Sequence, residues 1–159
     1  MNNNHTLDRL RAGLKLSDAE VVECFTLAGQ PLSPEAQAGL HSQAQGAARV
    51  ALTDALLGSF LDGLIIARRG PSPASKAAPK PAAELTNNMI LKKLRIALNL
   101  HEEGMLKLFG AGGAVLSKGE LTVLFRKPTH KHYKACDDPL LSAFLEGIKK
   151  TRSHSKRQG

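Results

Sequence analysis

Displaced by 84 positions, the chain lies on itself without a gap, and 20 of the 66 pairs formed by residues 3–68 and 87–152 are identical. "NNHTLDRLRAGLKL" (3–16) falls on "NNMILKKLRIALNL" (87–100), and "DALLGSFLDGL" (54–64) on "DPLLSAFLEGI" (138–148). Unrelated segments of this composition would share only a handful. The chain is therefore a duplication, and its fold must be one that the same pattern can form twice.

The shared pattern is helical. Leu7, Leu10 and Leu14, matched by Leu91, Leu94 and Leu98, recur at the spacing of one helix face, with Arg9, Arg11, Lys93 and Arg95 between them. In "SDAEVVECFTLAG" (17–29), Ser17 and Glu20 have capping-box spacing and Gly29 suits a C-terminal stop. Its counterpart "HEEGMLKLFGAGG" (101–113) lacks that cap and has internal glycines, which predicts a looser helix. A third helix starts at Ser33-Pro34 and again at Ser117, the latter boxed by Glu120, with Leu121, Leu124 and Phe125 as its buried stripe. The fourth starts at Thr53 or Asp137 and carries Leu56, Leu57, Phe60, Leu61 and Leu64, matched by Leu140, Leu141, Phe144, Leu145 and Ile148. Aromatic residues make up only 4% of the chain, so a core of interlocking leucine helices is favoured over a sheet. The expected fold class is all-α: two tandem four-helix repeats, each with a helix-turn-helix-like helix 2/helix 3 pair. The expected boundaries are 1–68 for the first repeat, 69–86 for a Pro/Ala-rich linker, 87–150 for the second repeat and 151–159 for a basic disordered tail. The linker, "RGPSPASKAAPKPAAELT", holds four of the eight prolines. At roughly 3 Å per residue it could span up to about 50 Å.

Charge separates the copies. Residues 1–68 contain five Lys/Arg against seven Asp/Glu (net −2), and residues 85–159 contain fourteen against six (net +8). The N-terminus lacks the basic start and apolar run of a secretory signal, and no segment approaches the length of a membrane span, so a cytoplasmic protein without membrane contact is expected. Two cysteines are too few for a disulfide framework, and reduced thiols are the default.

The paired blocks "LKKLRIALNL", "LSKGELTVLFRKPTHKHYKACDD" and "LLSAFLEGI" resemble the YehS-like proteins, a bacterial family with two copies of a domain of unknown function. The resemblance covers both copies and implies a cytoplasmic helical protein with no assigned activity. The chain departs from the pattern in its first copy, where "HSQAQGAARVALTD" (41–54) replaces the charged stretch, and in its linker and tail.

The densest chemistry is "FRKPTHKHYKACDD" (125–138). His130, His132, Cys136 and Asp137 could in principle hold zinc. The matching positions in the first copy are Gly46, Ala48, Leu52 and Thr53, so the fold closes there without a ligand, and no metal or other cofactor is expected. Cys136 aligns with Leu52, and Cys24 with Leu108, which marks both as packing positions rather than nucleophiles. The acidic pairs Glu102-Glu103 and Asp137-Asp138 suit first helical turns. No enzyme is expected.

The reading that remains is nucleic acid. If the second copy docks as a helix-turn-helix, Lys118, Thr122, Arg126 and Lys127 lie on or just after the third helix. His130, Lys131, His132, Tyr133 and Lys134 follow as a loop against phosphates, and Lys92, Lys93 and Arg95 extend the surface. DNA and RNA are both open as partners. The competing class is a non-catalytic helical interaction or dimerisation module. There the apolar helix at 56–66, which runs on through "LIIA" where the second copy has "IKKT", would meet a protein partner or a second chain.

Overall fold

The computed structural model describes residues 3–39, 52–70, 85–127 and 129–158. Most of the first copy's "HSQAQGAARVALTD" stretch and the linker core, 71–84, lie outside the described residues. Among the described residues there are eight helices and no strand. They are α1 (Asn3–Leu14), α2 (Asp18–Leu27), α3 (Pro34–Gly39), α4 (Asp54–Arg69), α5 (Asn87–Ala97), α6 (Glu102–Ala111), α7 (Lys118–Leu124) and α8 (Asp138–Gln158). The chain divides into two compact units, broadly α1–α4 and α5–α8. The all-α tandem repeat expected from the duplication is the observed architecture.

The helix starts follow the caps that the residues suggest. Ser33, Thr53 and Asp137 accept from the backbone N–H groups of Ala36, Leu56 and Leu140 at 3.2, 3.2 and 2.9 Å. At Ser117 the capping box is complete: its hydroxyl accepts from Glu120 N, and its own N–H donates to the Glu120 carboxylate at 3.1 Å. At Ser17 the hydroxyl accepts from Glu20 N at 3.1 Å, and it donates to the Glu20 carboxylate 3.3 Å away. The first helix of each unit ends on a left-handed residue, Lys15 (φ 56°) or its equivalent Asn99 (φ 53°). The second ends at Gly29 (φ 80°) or its equivalent Gly113 (φ 97°). Each closure draws the next N–H back five residues: Leu16 to Arg11 O, Leu100 to Arg95 O, Gln30 to Phe25 O and Ala114 to Phe109 O.

Within each unit the second helix packs along the fourth. Phe25 and Phe60 meet with ring centroids 5.8 Å apart, and the equivalent Phe109 and Phe144 meet at 5.0 Å. All four rings are fully buried. The backbones come close at Gly63 and at its equivalent Gly147, where an added Cβ would strike the carbonyl of Cys24 or Leu108. Leu57, Leu61 and Leu64 line the same buried face of α4, as Leu141, Leu145 and Ile148 do on α8.

Two expectations are modified. His101 caps α6 without a side-chain hydrogen bond, yet α6 is ten residues long, like α2, and buries Met105, Leu108 and Phe109. Its glycines serve packing: a Cβ on Gly112 would collide with the Ala143 carbonyl of α8. The last helix does not stop near residue 150 to leave a disordered tail, but continues to Gln158. The segment 149–158 contains neither glycine nor proline, and its lysines and arginines are good helix formers whose charge suits a helix C-terminus.

Candidate nucleic-acid interface

The basic segment begins where α7 ends. Leu121 and Leu124 anchor this short helix in the second unit's core, and Phe125 follows half-buried as its C-cap. Lys118, Thr122, Arg126, Lys127, His130, Lys131, His132 and Lys134 are exposed, and Tyr133 is half-buried. The Thr122 hydroxyl is turned back to donate to Lys118 O at 2.8 Å. Among the described residues, none of Lys118, Arg126, Lys127, Lys131 and Lys134 is in an ion pair. The flanking acids in sequence are Glu120 and Asp137; hydrogen bonds from Ser117, backbone N–H first and hydroxyl second, hold the Glu120 carboxyl below the usual range.

An asparagine pair that pattern reading passed over fixes the loop. Asn88, buried on α5, donates to Leu124 O and to Lys134 O, both at 2.8 Å, and accepts from Cys136 N at 2.8 Å. One side chain thus ties together the end of α7, the end of the basic loop and the approach to α8. Asn87 adds donations to Cys136 O at 3.0 Å and to the Asp138 carboxylate at 2.8 Å. The first unit repeats the clasp. Asn3 donates to Leu52 O at 3.1 Å and to Asp54 at 2.7 Å, and Asn4 accepts from Leu52 N at 2.8 Å. The signal was present in the sequence, since both asparagines are identical in the two copies.

Asn88, Lys92 and Arg95 stand at i, i+4 and i+7 on one face of α5. Asn88 and Arg95 both engage the α7 end, and Lys92 between them is exposed. Arg95 is spent internally: its Nε donates to Leu100 O at 3.2 Å, and its guanidinium lies 5.0 Å from the centre of the Phe125 ring. It packs over the residue from which the loop starts. Lys93 is half-buried, is already engaged within the chain, and is turned about 100° from Lys92 around the helix. Lys92, Lys118, Arg126, Lys127, His130, Lys131, His132 and Lys134 are thus exposed, whereas Lys93 and Arg95 are half-buried and engaged within the chain.

The two thiols are buried. Cys136 is buried and its thiol is pushed up to about 12, first by burial and then by Asp137 and Asp138. Burial, aided by Glu23, raises the Cys24 thiol to about 11. Both thiols are thereby disfavoured from ionising. Among the described residues, no group of three or more His, Cys, Asp or Glu side chains is placed to hold a metal ion. No helix there is long and apolar enough to cross a membrane.

With both units and their matched clasps in view, comparison with known proteins gives the same division. The family described as "Protein of unknown function (DUF1456)" matches residues 3–70 and again 87–152. The chain belongs to this family. It is also similar to the uncharacterized protein YehS of Escherichia coli strain K12, 38% identical over 104 residues, a stretch covering 65% of this chain and 65% of that relative. No solved structure matches the chain. The two family segments coincide with the two helical units and leave the proline-rich connection unmatched.

Proposed function

We propose that this protein is a non-catalytic nucleic-acid-binding module that contacts phosphates through the second unit, with α7 and the loop that follows it as the contact surface. The observation that supports the reading most is the exposure of Lys118, Arg126, Lys127, Lys131 and Lys134 without ion-pair partners among the described residues. Surface cations of a merely soluble domain are usually interspersed with acids. Here residues 121–136 contain no acid at all, and the equivalents in the first copy carry almost no charge. The clasp made by Asn88 ties the two ends of the loop to α5, which lowers the entropy lost on binding. Phosphate contact is better supported than base reading. α7 is only seven residues long, and the sole aromatic residue in the loop, Tyr133, is half-buried.

The alternative, association through α4, has less to stand on. Leu57, Phe60, Leu61 and Leu64 are already buried, and Ile65 and Ile66 are half-buried.

The test is titration of labelled duplex DNA and of structured RNA at two ionic strengths, with the intact chain and with Arg126, Lys127 and Lys131 replaced by Glu. Binding that weakens steeply with salt and is lost in the triple variant is expected. Absence of binding at low salt, or binding indifferent to the three substitutions, removes the reading.

A further inference from the structure

α8 outlasts its own core. Among the described side chains its last buried one is Ile148, yet the helix continues to Gln158, about 15 Å further along its axis. The first copy shows that the scaffold does not need this extension. There α4 ends at Arg69, the equivalent of Ser153, and Gly70 (φ 80°) closes it with its N–H on Ile66 O at 2.8 Å. Where α4 has the half-buried Ile65 and Ile66, α8 has the exposed Lys149 and Lys150. His154 stands in place of the stop glycine.

Beyond Ile148 the helix holds five Lys/Arg and no acid. At about 100° per residue these positions fall in two rows, Lys149, Arg152 and Lys156 in one and Lys150 and Arg157 in the other, about 120° apart around the axis. Lys149 and Arg152 stand at i and i+3, and Arg152 and Lys156 at i and i+4, so like charges weaken the helix until something neutralises them. The extension is also shorter than the ~12–15 residues below which an unpacked helix is marginal in water. A ligand that presents anions along both sides of a helix offsets both weaknesses.

Double-stranded DNA is such a ligand. Its major groove, about 12 Å wide, admits one α-helix between two walls of phosphate. The corresponding groove of A-form RNA is too deep and narrow. We propose that residues 149–158 of α8 form a second contact element, a helix that lies in the major groove of duplex DNA with one cationic row toward each phosphate wall. The proposal rests on the reading of this unit as nucleic-acid-binding, extends it to residues outside α7 and its loop, and names duplex DNA as the ligand.

The intact protein is titrated with a labelled DNA duplex and with an RNA duplex of equal length. Ser153→Pro keeps every charge but breaks the helix beyond Ile148, outside the core, so the melting temperature should not change. It is expected to weaken DNA binding about tenfold, and Ser153→Ala, which keeps the helix, less than about twofold. RNA binding should change less than about twofold in both. Arg152→Gln/Lys156→Gln and Lys150→Gln/Arg157→Gln, one pair from each row, should each lower the magnitude of the salt slope for DNA by about 2. These pairs keep the helix, so they decide the matter if the proline variant is unstable. DNA binding that Ser153→Pro leaves intact shows a flexible cationic tail and overturns the groove helix. So does an equal loss in Ser153→Ala, an equal loss for RNA, or a slope that responds to one row only. Binding abolished by Glu at Arg126, Lys127 and Lys131 but indifferent to the α8 substitutions overturns this proposal and leaves the α7 loop standing. The reverse pattern supports α8 and removes the loop, and absence of binding at low salt overturns both.

Discussion

The two asparagine pairs show how much one buried amide can organise. Asn88 satisfies two carbonyls and one N–H that lie 36 to 48 residues away in sequence. Removing it leaves those groups without their partner. Each buried polar group left unsatisfied costs about 1–3 kcal/mol, so Asn88→Ala should destabilise the second unit by about 2–4 kcal/mol in denaturant titration. Asn88→Asp should be no better, because a carboxylate oxygen would replace the amide that donates to the carbonyls of Leu124 and Lys134. If Asn88→Ala left the midpoint unchanged, the clasp would not be holding the loop. The cysteines make a prediction of opposite kind. The unfolded chain releases thiol protons from about pH 9.0 upwards, whereas burial delays release to about 11 at Cys24 and about 12 at Cys136. The stability contributed by the protonated thiols is therefore complete below pH 9.0 and is lost as pH rises towards those values. The slope is up to about 1.4 kcal/mol per pH unit for each thiol. The Cys24→Ala/Cys136→Ala variant should be slightly less stable at neutral pH but lose less stability than the parent between about pH 8 and about pH 10.5, as measured by urea unfolding. Equal losses in the two proteins would mean that the thiols are not the groups titrating.

At the scale of elements, the crossing of second and fourth helices depends on glycine. Gly147→Ala places a methyl group against the Leu108 carbonyl and Gly63→Ala places one against that of Cys24, so the helices must separate. Overpacking of this kind costs about 1–3 kcal/mol or more, which outweighs the ~1 kcal/mol that alanine contributes inside a helix. Gly58, also within α4, has nothing within 4 Å of the position its Cβ would take. Gly58→Ala should therefore raise the melting temperature while Gly63→Ala and Gly147→Ala lower it; the same sign for all three would show that the crossing is not close. The helices themselves were legible because their signals are local: leucines three and four apart, Ser or Thr one residue ahead, and glycine at the stop. The crossing was not, although Gly63 and Gly147 are identical in the two copies, because a glycine in a helix does not announce which backbone approaches it. The same holds for the candidate site. The string of cations between Arg126 and Lys134 can be read directly, but the internal use of Arg95 depends on Phe125 and Leu100 folding beneath it. Sequence reading also ended the last helix near residue 150, since beyond Ile148 the leucine stripe gives out and only intrinsic propensity carries α8 on to Gln158.

At the scale of the whole molecule, one scaffold has been used twice with different surfaces. Both units keep the phenylalanine pair, the glycine crossing and the asparagine clasp. In the second copy the sequence connecting the third and fourth helices carries a run of cations, exposed in the structure, where that of the first copy has the single Arg49. If that run contacts phosphates, salt dependence should report it quantitatively. Each phosphate contact on a duplex contributes about 0.9 to the slope of log affinity against log salt. Replacing Arg126, Lys127 and Lys131 by Gln should lower the magnitude of that slope by about 2 to 3. Arg9→Gln and Lys15→Gln in the first unit should leave it unchanged, although they also remove positive charge. A general effect of net charge would lower the slope in both sets alike. Localised contact predicts a loss confined to the second unit, so the comparison separates a basic protein from a built phosphate surface.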